Sequence, residues 1–460
     1  MAIPDGVFPN AVIRDPRSTG LFIFGQLDQN LSAPGVQGWL QEITGYLKSL
    51  KETEAPPAEC FDAAFALGSS FFQTGGAARF GLEGKLPAGF KEPPTLPVGF
   101  PFPPDFLIYA MSLEEERLVQ LVQWLAACRP TPVVQMKVER GFQRANRRES
   151  FGFLDSRRNP GIGDRASVAL VGIDQTGNEP AWVEGGAYMA YIKIRQDVAR
   201  ARTLGDDAME QAIGRRATDG SRLDQQPGMD ARSEPDYNDP SNPRDNSHIR
   251  KVGPRGQEQG KIGMFRRGLP YMDVGGDGTP EFGLHFVSFG DPDEFSTVLS
   301  RWILNPLFPA QATGPDALVA QQLIAFEQAG FFIVPPADAR FIGAQIFDPE
   351  PAPAPVTTGR AIVKKRVADA SGNALPQRSL RGAVFQVLQS GNPVGGTITT
   401  NAAGRAISGD LPINTDYVLR EVTPLPGANP AADVPFSLSK RRQVVDVTNT
   451  FGQPPNSYGS

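Results

Sequence analysis

The chain has 460 residues, 40% apolar and 21% charged, a length that suits on the order of two or three domains, each with its own core. A net charge of −5 excludes the broad basic face that nucleic-acid binding needs, and no apolar run is long enough to span a bilayer. Two cysteines, Cys60 and Cys128, and two histidines, His248 and His285, exclude a disulfide framework, a cysteine cluster and a multi-histidine zinc centre. Any metal is then held by few protein ligands or sits inside a cofactor.

The N-terminal stretch MAIPDGVFPNAVIRDPRS has acidic residues and prolines where a signal peptide carries a basic start and an apolar core, so the cytoplasm is the default expectation. Residues 1–140 read as mixed α and β. GVQGWLQEITGYLKSLK (35–51) has helical spacing, CFDAAFALGSSFF (60–72) suits a buried strand, and FLIYAMS (106–112) suits a second. Helix 111–129 follows, with Ser112 as its cap and Glu115 three residues on.

The same grammar repeats over 132–335, with the second unit set at 141–347. VVQMKVERGF and SVALVG suit strands, AYMAYIKIRQDVARAR runs from strand to helix, FGLHFVSFG is a strand, EFSTVLSRWIL a helix and GFFIVP a last strand. Two successive α+β units of antiparallel strands with helices are the simplest architecture. Between Ala217 and Gly260 large apolar residues are almost absent, and a loop of that length is functional or disordered.

DPEPAPAPVTT (348–358) is a Pro/Ala linker. Beyond it, short alternating strands without helical pattern over 359–451 suit an all-β sandwich, and 452–460 reads as a flexible tail.

The segment DNSHIRKVGPRG sets His248 beside Arg250, Lys251 and Arg255. RESFGFLDSRRNPGI puts Asp155 in a turn-rich stretch, and FRRGLPY puts Arg266 and Arg267 ahead of the strand that holds His285. Singly, each reads as a surface or turn residue. Together, and with FVSFGDPDEF, AFALGSSFF and PPDFLIYAM in the same order, they resemble the dye-decolorising peroxidase family over about residues 20–335.

That resemblance implies two ferredoxin-like units, the second holding haem b. His248 would be the proximal ligand to iron, Asp155 the distal acid/base and Arg266 the distal cation, with Arg267 the fallback. Arg250, Lys251 and Arg255 would face the haem propionates. Glu327 would accept the second N–H of the ligating imidazole. Chemistry agrees: peroxide cleavage needs a proton taken from one oxygen and returned to the other. His285 sits in a strand-core pattern, so a carboxylate must carry that proton, with a guanidinium stabilising charge. The family has Gly where this chain has Ser156, a change that bears on the turn presenting Asp155. Trp182, Tyr188, Tyr191, Tyr271 and Trp302 are the aromatic residues through which electrons could pass.

Residues 359–451, through GAVF, TTNAAGR, YVLREVTPLPG and VTNT, resemble the B-type repeat of Gram-positive adhesins and pilins. The resemblance implies an immunoglobulin-like sandwich and an intramolecular isopeptide bond between Lys365 and Asn449 assisted by Glu421, with Lys364 the runner-up. Strand alternation sets each of the three on an apolar, inward series. Unpaired, they are too costly to bury.

The leading expectation is a haem peroxidase that reduces hydrogen peroxide and oxidises dye-like, phenolic or other bulky donors, with a β-domain for docking or stability. The alternatives are a non-enzymatic adhesion or assembly protein on a haem-binding scaffold, and haem binding with iron release. A homo-oligomer and an unknown surface partner for the β-domain are further expectations, and the adhesin-like repeat sets the cell surface against the cytoplasm.

Overall fold

In the computed structural model, short apolar runs in the first part of the chain form β1 (Thr19–Leu27), α1 (Ala33–Glu52), β2 (Phe61–Gly68), β3 (Phe106–Ser112), α2 (Glu115–Ala127) and β4 (Val133–Phe142). A second series contains β5 (Ala187–Gln196), α3 (Val198–Leu204), α4 (Asp206–Ile213), α5 (His248–Val252), β6 (Met264–Arg266), β7 (Leu269–Val274), β8 (Pro280–Gly290), α6 (Ala317–Ala320) and β9 (Ile324–Val334). The structure describes residues 10–452 apart from 53–59, 91–98, 145, 156–158, 173–178, 230–242, 254–263, 309–312, 350–357, 373–374, 376–379, 401–403 and 440–441. The expected Pro/Ala linker and tail lie almost wholly outside the described residues.

These nine strands form one antiparallel sheet in the order β4-β1-β3-β2-β9-β5-β8-β6, with β7 also paired to β8. Each half has the ferredoxin-like order, fourth-first-third-second of its own series. The halves join where Phe332 and Ile333 of β9 pair with Gly68 and Leu67 of β2. The border expected near residue 140 is therefore a seam inside one compact unit, which ends near Pro349.

Period-2 alternation sorts the side chains. One face of β1 to β3 (Leu21, Ile23, Phe65, Ile108) packs under Trp39, Leu40 and Ile43 of α1 and Leu118 and Leu121 of α2. On the other face, Phe22, Phe24 and Tyr109 form one buried cluster with Met189, Tyr191, Val287 and Phe289 of the second half.

Several local expectations shift. SVALVG is not a strand: Arg165–Ala169 is a short helix, since a four-residue apolar run, Val168 to Val171, has no decisive period. The 60–72 run breaks at Gly68 into a one-turn helix, Ser69–Phe72. Ser112 ends β3 and its hydroxyl accepts the Glu114 amide, so α2 starts later than expected. EFSTVLSRWIL divides into an α-turn, Pro292–Ser296, and a π-helix, Thr297–Ile303.

The second unit holds β10 (Thr358–Asp369), β11 (Val384–Gln389), β12 (Asn392–Thr399), β13 (Arg405–Ile407), β14 (Leu411–Pro412), β15 (Thr415–Thr423), β16 (Val434–Leu438) and β17 (Arg442–Phe451). One sheet has β10 between β13 and β14 and also paired with β17; the other runs β12-β11-β15-β16. Val363, Phe385, Leu419 and Val445 meet in the core between them. Among the described residues no helix is long and apolar enough to cross a membrane.

Candidate active site

His248 opens α5, a single helical turn whose Ile249, Arg250 and Lys251 are buried. Its Nδ1 lies 2.8 Å from Oδ2 of the fully buried Asp316. Asp316 caps α6, its Oδ1 accepting the Leu318 amide at 2.9 Å, so the carboxylate is held at both oxygens. A carboxylate fixes the proton on Nδ1 and leaves Nε2 with its lone pair. Burial opposes protonation of the ring, but Asp316 outweighs it and lifts the pKa above the usual 6.5. Arg266 works against protonation and Asp155 for it, so both lie within electrostatic reach of the imidazole. The His248 side chain is half-buried, with 36% of its surface open.

Strand register supplies a floor on which Arg266 stands. Arg266 pairs with Ser288, which pairs in turn with Ala190. Cross-strand partners share a face. On that face follow Phe286 with Ile192 and Leu284 with Ile194, four half-buried apolar side chains in two adjacent rows. Arg267 takes the opposite side: it is fully buried, its guanidinium 5.5 Å from the Tyr109 ring and Nη2 3.2 Å from the Met111 sulfur. The fallback for the distal cation therefore points away from that floor.

Asp155 ends a tight turn whose other end is built around Glu149. The Glu149 carboxylate accepts the amides of Phe151 (2.9 Å) and Phe153 (2.8 Å) and the Gln196 side chain (2.5 Å). Burial raises its pKa, the three donors oppose the rise, and the nearby Asp155 adds to it. Beyond the turn, Asn159 clamps the Arg266 backbone in both directions. Its Nδ2 donates to the Arg266 carbonyl at 2.7 Å and its Oδ1 accepts the Arg266 amide at 3.0 Å. Asn159 thus ties the Asp155 segment to the strand that carries Arg266.

Other expected site residues lie elsewhere. Glu327 does not meet His248: it is the extra residue of a bulge in β9, 3.4 Å from Arg195 Nε and 4.0 Å from Lys193 Nζ, and accepts from Tyr271 at 3.4 Å. Asp316 takes the place expected for it. The sequence reading does not single out Asp316. Arg250 and Lys251 do not present an open cationic rim. Arg250 is buried and paired with Asp245 at 2.5 Å. Lys251 is fully buried, donating to the carbonyls of Asn305 (2.8 Å) and Phe308. Burial pulls its pKa down to about 8, against the pull of Asp316 and Asp245. Arg255, Ser156 and the Trp302 side chain lie outside the described residues.

The site fits a haem on its donor chemistry. Nε2 of His248 has no hydrogen-bond partner among the described residues, the tautomer leaves it basic, and the apolar floor suits a flat macrocycle. No cluster of three or more His, Cys, Asp or Glu that could hold a bare metal ion occurs among the described residues.

The second unit has a polar site of its own. Lys365 Nζ donates to Glu421 Oε1 at 2.6 Å, and Asn449 Nδ2 donates to Glu421 Oε2 at 2.6 Å. The Lys365 and Glu421 side chains and Asn449 are fully buried. Ala431 N–H also binds Glu421, and Asn449 donates to the Asn429 carbonyl, both at 2.7 Å. Burial lowers the Lys365 pKa, with Glu421 opposing. Lys364, one residue out of phase, is exposed.

Comparison with known proteins bears on the first unit. Residues 146–339 match the family profile described as Dyp-type peroxidase, C-terminal. Over 268 residues the chain is 28% identical to a dye-decolorizing peroxidase of Thermobifida fusca (strain YX), covering 53% of this chain and 57% of that protein. Over 144 residues it is 33% identical to a deferrochelatase of Yersinia pestis, covering 30% of this chain and 32% of the other. The chain thus spans little more than half the length of the first relative and a third of the second. Among solved structures, a DyP-type peroxidase from Streptomyces coelicolor matches with TM-score 0.61 at 23% identity, over 76% of this chain and 97% of that one. Ferric DtpA from Streptomyces lividans matches with TM-score 0.60 at 22% identity, over 75% and 96%. The first unit therefore has the fold of DyP-type peroxidases.

Proposed function

We propose that this chain is a haem-dependent peroxidase of the dye-decolorising type, using haem b and hydrogen peroxide and taking electrons from bulky or phenolic donors. One observation carries the reading. His248, with an open, basic Nε2, has a carboxylate, Asp155, and a guanidinium, Arg266, within electrostatic reach. The family match over residues 146–339 and the fold agree with it.

Bound haem would supply the iron centre at which peroxide is reduced and which oxidises the donor. His248 would hold it through Nε2, and Asp316, by keeping the proton of Nδ1, makes that nitrogen a stronger donor. Asp155 would take a proton from one oxygen of hydrogen peroxide and return it to the other, so that water leaves. Arg266 would stabilise the negative charge that builds up as the O–O bond breaks. Asn159 fixes the strand on which Arg266 stands. Ile192, Ile194, Leu284 and Phe286 give the sheet face that carries Arg266 an apolar surface.

An absorption spectrum of haem-supplied protein, before and after one equivalent of peroxide, tests the reading. A Soret band that shifts promptly and returns on adding a phenol is the expected result; a band indifferent to peroxide overturns it. Asp155→Ala should abolish peroxide turnover with haem content unchanged. Loss of iron from haem without peroxide would favour the deferrochelatase-like alternative, to which the likeness at 33% identity points.

For the second unit the reading is an immunoglobulin-like sandwich of the adhesin B type, serving docking or stability and closed by an isopeptide bond. The buried contacts of Glu421 with both Lys365 and Asn449 support it. The neutral Lys365 amine attacks the Asn449 side-chain carbonyl carbon, Glu421 relays a proton to the amide nitrogen, and ammonia leaves as the new C–N bond forms.

A further inference from the structure

The second histidine takes no part in this site. His285 lies on β8, fully buried, on the face opposite Leu284 and Phe286. Its Nε2 is 3.3 Å from the Arg140 carbonyl oxygen and its Nδ1 is 3.0 Å from the Tyr191 hydroxyl. A carbonyl oxygen only accepts, so Nε2 carries the proton and Nδ1 a lone pair. The contact between the two side chains then has one polarity: the Tyr191 hydroxyl donates to His285 Nδ1. Burial lowers the imidazole pKa to about 3, with Glu139 opposing, so the ring rests neutral and able to accept.

Tyr191 is equally buried, and burial raises its phenol well above the usual 10. A phenolate is therefore absent at working pH. An electron leaves such a phenol only if the proton leaves too, because the phenol radical cation is a far stronger acid than even a buried imidazolium and gives its proton to a base in contact with it. Nδ1 is the base in hydrogen-bond contact with it. Aromatic rings enclose the pair: Phe22 and Tyr271 lie 4.7 and 4.8 Å from the imidazole, and Phe24 lies 4.9 Å from the Tyr191 ring. On β5, Tyr191 sits between Ala190 and Ile192, whose side chains belong to the face that carries Arg266, so its phenol lies one sheet layer behind the floor.

We propose that Tyr191 and His285 form a redox pair that donates one electron to the peroxide-oxidised haem centre, the phenolic proton passing to His285 Nδ1. The O–H bond of Tyr191 breaks and an N–H bond forms on His285. A neutral phenoxyl radical and an imidazolium remain, and the haem centre is reduced by one equivalent. A one-electron donor then restores the phenol as the proton returns. The proposal rests on the peroxidase reading above. Trp182 has no such partner, since its indole N–H meets the Lys85 carbonyl at 3.0 Å, which takes no proton. Tyr271, whose hydroxyl donates to Glu327, is the competitor to be tested.

Two measurements decide it. With two histidines in the chain, ¹⁵N-histidine NMR of the haem-free protein should show His285 protonated at Nε2 and lone-paired at Nδ1, the Nδ1 resonance moving in Tyr191→Phe. A proton on Nδ1 in the resting protein overturns the pair, whatever the haem does. In haem-supplied protein frozen just after one equivalent of peroxide, electron paramagnetic resonance should show a tyrosyl radical. That signal should narrow with ring-deuterated tyrosine, rise more slowly in D₂O and be lost in Tyr191→Phe, a variant that removes only a hydroxyl. Persistence in Tyr191→Phe, or loss in Tyr271→Phe instead, overturns the assignment. A responsive Soret band without a tyrosyl signal sinks the pair alone. A Soret band indifferent to peroxide removes the oxidant, and the pair's donor role falls with the peroxidase reading.

Discussion

Asp316 grips the His248 ring with one oxygen and the start of α6 with the other. Asp316→Asn keeps a helix cap but removes the charge that sustains the imidazole's basicity. Haem affinity should fall by roughly 10- to 100-fold, read by titrating haem into the apoprotein. Lys251 gives a different signature. Its folded pKa of about 8 lies below the ordinary 10.5. Between those values the unfolded chain binds the extra proton, so Lys251 makes stability rise with pH across that window. Denaturant unfolding of the wild type should show this added slope relative to Lys251→Met. At this scale the sequence singles out His248, Asp155 and Arg266 because each sits in a short run of distinctive residues. Asp316 was not, being 68 residues from its partner in sequence. Glu327 misled because a bulge adds one residue to β9 and turns the side chain towards Lys193 and Arg195, a shift that composition does not announce.

Strands were easier to read than the pieces between them. The runs in β3, β5, β8 and β9 are long enough for apolar pattern to decide, whereas SVALVG and SSFF are too short, and both became single helical turns. The same alternation that set Lys365, Glu421 and Asn449 on inward series agrees with their burial in the structure. If the amide bond forms, intact-protein mass spectrometry should show a deficit of one ammonia, absent in Lys365→Ala and in Asn449→Ala. A full-mass wild-type chain would leave a buried ion pair with no covalent role. Asn159 lies in the RESFGFLDSRRNPGI segment, but its grip on the Arg266 backbone is a contact across 107 residues that only folding reveals.

The whole chain divides into two compact units, and each should respond to its own ligand or bond. Haem binds folded protein only, so calorimetry should show its addition raising one unfolding transition and leaving the other in place, while Lys365→Ala moves only the second. A single transition that shifts as a whole under either change would mean that the units unfold together.

The pairing of β10 with β17 has a mechanical meaning. These are the first and last strands of the second unit, and they run parallel over Arg360 to Asp369 against Arg442 to Phe451. The backbone therefore comes in at one end of this pair and goes out at the other. Tension applied along the chain slides the two strands past each other, loading their ladder of hydrogen bonds side by side rather than unzipping them one at a time. The proposed covalent tie from Lys365 to Asn449 would join these two strands, so the pull would pass from β10 to β17 through that bond and the segment between them would bear no load.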